Sequence, residues 1–106
     1  MTPQPGDVWL ADLGLAAKTR PVVIVSCFDP NSPRALILYV PLSTQNRSIR
    51  YEVVLPKLPF LDRDSVANVQ GLASLPIVRL ERKLGRLPAE AMTDVKGALM
   101  YALDLG

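Results

Sequence analysis

A small, strongly bent β-barrel closed by one C-terminal helix is the fold this sequence of 106 residues predicts. Three observations predict it. Short runs rich in β-formers recur up to Leu87, parted by Pro, Gly, Asn and Asp clusters. Apolar residues at helical spacing appear only after Pro88. No strand–helix alternation of the kind that builds βαβ units is present. At this length a single core fills one domain, taken as 1–106.

The elements follow in order. Gly6-Asp7 opens a first strand over 8–13. The second, 20–27, is apolar on both faces and reads as central. Asp29-Pro30-Asn31-Ser32-Pro33 is a loop by composition. A third strand spans 35–43, and Thr44-Gln45-Asn46-Arg47-Ser48 is a polar turn. A fourth strand over 51–55 ends at Pro56 and Pro59. A fifth is read over 65–72. Ser74-Leu75-Pro76 then leads into a short helical turn at 77–79, and 83–87 makes a last strand. Pro88 suits the first position of a helix. Glu90 lies in its first turn, and Met92, Val95, Leu99 and Ala102 or Leu103 share one face. The helix is expected to run roughly 16 residues.

Composition narrows the function. Hydrophobic residues make up 49% of the chain and mean hydropathy is +0.21, high for a small monomer. Self-association is therefore expected to bury some of that surface. No apolar stretch approaches the roughly 20 residues of a membrane span. No signal peptide is readable at the N-terminus, so a cytoplasmic location is the expectation. Cys27 is the lone cysteine and offers no disulfide framework; it reads as buried and inert. Histidine is absent, which argues against a zinc or copper site, and no cofactor is expected. Between Lys18 and Arg50 the sequence carries five basic residues against Asp29 alone. A second basic cluster holds Arg79, Arg82, Lys83 and Arg86. A polyanion would meet these regions rather than the more acidic stretch after Pro88.

Arg20 is the residue with most to explain. It stands in Lys18-Thr19-Arg20-Pro21, directly before Val22-Val23-Ile24-Val25-Ser26. A permanent charge at the mouth of a buried strand needs a partner or a task. Pro21 fixes its own φ and holds Arg20 extended, so the guanidinium is presented from a stiff backbone.

Gly6-Asp7-Val8-Trp9-Leu10 followed by Arg20-Pro21-Val22-Val23-Ile24-Val25-Ser26 resembles the opening of the MazF/PemK toxin family. Val40-Pro41-Leu42-Ser43-Thr44-Gln45 is similar to that family's third-strand segment. Tyr51-Glu52-Val53-Val54-Leu55 follows as its fourth strand does. Gln70 falls where the family has a glutamine, and Leu84-Gly85-Arg86-Leu87-Pro88 resembles its closing segment. The ordered set covers nearly the whole chain. The resemblance implies an SH3-like barrel that forms a homodimer. It also implies cleavage of single-stranded RNA and neutralisation by a cognate antitoxin in a type II pair. Carried over by position, the catalytic pair is Arg20 and Ser43, where the family commonly has threonine in place of Ser43. RNA contacts are expected of Lys18, Thr19, Thr44, Gln45, Arg47, Arg50, Asn68 and Gln70. The first loop, 14–19, is shorter than in the best-known members, and Val69 stands where several have aspartate.

The chemistry those residues would perform needs no metal. RNA supplies its own nucleophile, the 2′-hydroxyl, so alignment and charge stabilisation account for much of the barrier. Arg20 suits a bidentate grip on phosphoryl oxygens, and Ser43 suits donation to the same group. Arginine is a poor general base; Glu52, Asp12 and Asp7 are the acids considered, and none is assigned. A competing structural role pairs Arg20 with Asp7 or Asp12, and has Ser43 satisfy a backbone group at a strand end. Trp9 reads as core or dimer interface. A second class of function keeps the toxin fold without catalysis and acts by binding protein, either the antitoxin or a gyrase-type target.

Overall fold

The computed structural model describes residues 2–14, 18–27 and 29–106. Seven strands precede one helix: β1 (Asp7–Asp12), β2 (Thr19–Ile24), β3 (Leu36–Ser43), β4 (Glu52–Val54), β5 (Val66–Asn68), β6 (Ala73–Pro76), β7 (Leu80–Arg86) and α1 (Ala89–Ala102). They form one antiparallel sheet in the order β4-β5-β3-β2-β1-β7, with β6 also paired to β3. A 3-10 turn, Ile77–Arg79, carries the chain from β6 to β7. Among the described residues no ladder joins β6 to β7; the turn alone connects them.

The alternating side chains of β2 divide the core in two. Val23 joins Val8, Val40 and Leu42 beneath Ala91, Met92 and Val95 of α1. Val22 and Ile24 join Trp9, Ala11, Ile37, Tyr39, Leu75 and Leu80 on the other face, inside the barrel. The central strand is therefore apolar on both faces, as its sequence predicts. Trp9 is a core residue. Helix α1 runs 14 residues rather than roughly 16, with Leu99 and Ala102 partly buried and Leu103 exposed.

Beyond shifts of about one residue at other strand ends, the structure departs from the sequence expectation in three regions. β2 ends at Ile24, and Cys27 is exposed in the following loop rather than buried in a strand. β7 begins at Leu80, because Leu80 pairs with Ala11 and enters the core. The expected fifth strand over 65–72 is interrupted. β5 pairs Leu42 with Ala67, whereas β6 pairs Tyr39 with Ala73. The two lie on the same edge of β3 with registers three residues apart, and the 3-10 turn Val69–Gly71 takes up the difference. The residues 74–76, expected to lead out of the sheet, belong to β6.

Candidate functional site

Arg20 stands opposite Ala11 near the start of β2. Just before it, Lys18 O accepts from Leu13 N at 2.9 Å and closes the β1–β2 loop. Asp12 Oδ1 accepts from Gly14 N at 2.8 Å and turns the chain out of β1. Lys18 holds φ of +54°, a left-handed conformation that costs a non-glycine residue about 1–2 kcal/mol. Leu15, Ala16 and Ala17 of that short loop lie outside the described residues. Lys18, Thr19 and Arg20 are all exposed.

Ser43 ends β3 at the same end of the sheet. β2 and β3 pair Val22 with Pro41 and Val23 with Val40. Continuing that register by two residues sets Arg20 opposite Ser43. Strand alternation gives Arg20 the face of Val22, and Ser43 the face of Pro41 and Tyr39. That continuation, beyond the last paired residues, Val22 with Pro41, would set the expected catalytic pair on one face at one end, or rim, of the β2–β3 ladder. Ser43 Oγ accepts from Gln45 N at 3.0 Å, so the hydroxyl does satisfy a backbone group at the strand end. A hydroxyl has one proton and two lone pairs, and that bond leaves the proton available to donate.

The 3-10 turn Val69–Gly71 brings Gln70 to this rim. Gly71 rests on the ring of Pro41, two residues before Ser43; a Cβ there would lie 2.5 Å from Pro41 Cγ. Asn68 Oδ1 accepts from Gln70 N at 3.0 Å and caps the turn. Gln70 itself is exposed. Arg79 also reaches this end: a Cβ on Gly14 would lie 3.2 Å from Arg79 Nη1. Sequence reasoning placed Arg79 only in a general basic cluster.

The other expected contacts divide. Thr44 and Gln45 follow Ser43 and are exposed. Thr19 Oγ1 points to Glu81 Oε2 at 3.4 Å. Arg47 is folded back: Nη1 donates to Glu52 Oε2 at 2.9 Å and Nη2 to Gln45 Oε1 at 2.6 Å. Arg50 lies over the ring of Tyr101, 4.1 Å from its centroid, at the C-terminal part of α1. The oxygen of Asn68 is committed to its cap.

The three acids separate as well. Asp7 is buried, accepts from Gln4 N at 2.9 Å and Arg86 Nη1 at 2.6 Å, and pairs with Lys83 at 3.4 Å. Burial pushes its carboxyl up, but the Gln4 amide, Arg86 and Lys83 outweigh that and hold it below its ordinary value. It stands four residues along β1 from the partner of Arg20, roughly 13 Å away, and is engaged by Gln4, Arg86 and Lys83. The Glu52 side chain is buried under Arg47. Only Asp12, opposite Thr19, lies at this rim. An open cleft of about 540 Å³, lined by Ser26, Cys27, Arg34 and Ile77, lies at the opposite end of β2 and β3.

The family model described as PemK-like, MazF-like toxin of type II toxin-antitoxin system matches residues 4–103. Endoribonuclease MazF2 of Mycobacterium bovis and endoribonuclease MazF6 of Mycobacterium tuberculosis are each 32% identical over 108 residues, covering 93% of this chain and 95% of theirs. Among solved structures, a mycobacterial endoribonuclease in complex with its cognate antitoxin superposes with a TM-score of 0.85 at 29% identity, covering 98% of this chain and 97% of that one. Mycobacterium tuberculosis toxin MazF-mt6 superposes at 0.82 with 25% identity, covering 94% and 98%.

Proposed function

Since this chain belongs to the PemK-like, MazF-like toxin family of type II toxin–antitoxin systems, we propose that it is the toxin of such a pair, an endoribonuclease acting on single-stranded RNA. The observation that supports the reading is the β2–β3 register, which ends at Val22 and Pro41 and, continued by two residues, would set Arg20 opposite Ser43. The relatives named endoribonuclease, at 32% identity over nearly the full chain, support it. Residues 1–106 are taken as one toxin domain, working in the cytoplasm as a homodimer. The relative solved with its cognate antitoxin supports a small protein antitoxin as partner.

The step is an internal displacement. The ribose 2′-hydroxyl attacks the adjacent phosphorus and the bond to the 5′-oxygen of the next nucleotide breaks. The products are a 2′,3′-cyclic phosphate and a 5′-hydroxyl. Arg20 grips the non-bridging oxygens with its guanidinium fork, where planar bidentate geometry matches phosphate. Ser43 donates its hydroxyl proton to the same group, a contact that strengthens as charge builds in the transition state. Lys18, Thr44, Gln45 and Gln70, all exposed, are assigned to holding the flanking nucleotides. Single strands are taken as the substrate because their unstacked bases can be splayed out and read on their edges.

A varied RNA pool incubated with purified protein and EDTA, then end-mapped, tests activity and sequence preference together. Cyclic or 3′-phosphate ends paired with 5′-hydroxyl ends are expected. Arg20→Ala is expected to lose cleavage by a factor of about 10² or more while keeping its circular dichroism spectrum. Undiminished cutting by that variant would sink the assignment of Arg20.

A further inference from the structure

Glu52 opens β4 with its side chain fully buried, while its charge partner Arg47 is half exposed. Oε1 accepts from Arg47 N at 2.7 Å, and Oε2 accepts from Arg47 Nη1 at 2.9 Å. Both carboxylate oxygens are spent on one residue of an irregular loop. A buried carboxylate is costly even when paired, and apolar side chains of similar volume commonly serve stability as well. Its burial here therefore calls for a use other than stability.

The hydrogen bonds lead from it to the rim. Arg47 Nη2 donates to Gln45 Oε1 at 2.6 Å, and Gln45 N donates to Ser43 Oγ at 3.0 Å. The loop also braces itself: Ser48 N donates to Asn46 Oδ1 at 2.8 Å, and Glu52 N to Ile49 O at 3.0 Å. A continuous run of bonds thus joins a fixed carboxylate on β4 to the hydroxyl that ends β3. Occupying one lone pair of Ser43 Oγ restrains its rotation and leaves its proton to donate outward.

We propose that Glu52 is a positioning residue for the Ser43 hydroxyl, acting through Arg47 and Gln45 to hold the rotamer that donates to the phosphoryl group. This rests on the reading of Ser43 given above. It makes Arg47 a strut of the site rather than a phosphate contact. It also explains why a permanently charged side chain, half exposed beside an RNA-binding rim, is turned inward.

The test compares wild type, Glu52→Gln, Ser43→Ala and the double variant on a fluorescent single-stranded RNA oligomer. Glu52→Gln sets an amide donor against the Arg47 donors and breaks the run at its root. Its kcat is expected to fall about tenfold or more with KM held within about twofold. Added to Ser43→Ala it is expected to cause no further loss, because the two act on one atom. The same fold-loss in both backgrounds overturns the proposal. Should Glu52→Gln fail to fold, the Arg47→Met, Glu52→Met pair substitutes apolar side chains for the ion pair, an exchange buried pairs commonly tolerate. Wild-type kcat in that folded variant likewise overturns it. Limited trypsin digestion reads the loop without RNA: cutting after Arg47 is expected to quicken about fivefold or more in Glu52→Gln. Unchanged cutting overturns the bracing. Wild-type cleavage by Ser43→Ala overturns the role of Ser43 and the proposal with it, and the trypsin result separates that failure from a failure of the bracing.

Discussion

Gly71 is glycine because the ring of Pro41 occupies the space a side chain would need. A Cβ would sit 2.5 Å from Cγ and 2.9 Å from Cδ of a ring fixed to its own backbone. Neither side can yield cheaply. Gly71→Ala is expected to destabilise the fold by about 1–3 kcal/mol, read from the urea midpoint. It should also lower cleavage, since the turn that carries Gln70 would lift from β3. A midpoint equal to wild type would mean that the turn is not seated as described. Other single residues show how far chemistry can be read from a sequence. Arg20 was legible because a charge, a proline and an apolar run are adjacent in the chain. The burial of Glu52 was not: its closeness to Arg47 in sequence says nothing about the packing that removes its carboxylate from water.

Strands and their junctions carry the next layer of physics. Asp7 ties the N-terminal turn to β7 through Gln4, Arg86 and Lys83, while Gly6 N donates to Ile24 O and Leu87 N donates to Gly6 O. Its carboxyl is held below the ordinary value in the folded chain. The unfolded state therefore takes up its proton first as pH drops. The resulting stabilisation is complete above the unfolded pKa of roughly 4 and is lost as pH falls through the lower folded value. Urea midpoints measured from pH 7 down to 3 should show this loss in wild type and a shallower one in Asp7→Asn. That variant should also be about 1–3 kcal/mol less stable at pH 7. Equal slopes for the two proteins would remove Asp7 from the acid response. At this scale the sequence was read well where one pattern dominates, as in α1 after Pro88 or the two-sided β2. It was misread over 65–76, where local β-propensity is continuous. The break between β5 and β6 packs against Pro41, a residue of a different strand that the local pattern does not reveal.

Over the whole molecule, large apolar side chains remain in water after both cores are filled, among them Val54 at 65% and Val78 at 87% exposure. Pairing of two copies would cover part of that surface. Light scattering at micromolar concentration is expected to give the mass of a homodimer, and a monomer mass would count against it. By itself the sequence determined the strand-rich barrel, the closing helix, the family, and the two residues on which the chemistry is staked. The strands and the helix follow from local order, that is alternation, helical spacing and turn residues; Arg20 stands out as a charge beside a proline, whereas the family and the role of Ser43 come from the resemblance of the ordered motifs. Only the tertiary structure decided which polar groups are buried and which partners they find. It held Asp7 with β7, turned Arg47 inward to Glu52, laid Arg50 on Tyr101 and left Cys27 exposed. Burial and pairing depend on residues brought together from distant parts of the chain, and the free energy of a charge depends on what surrounds it in space.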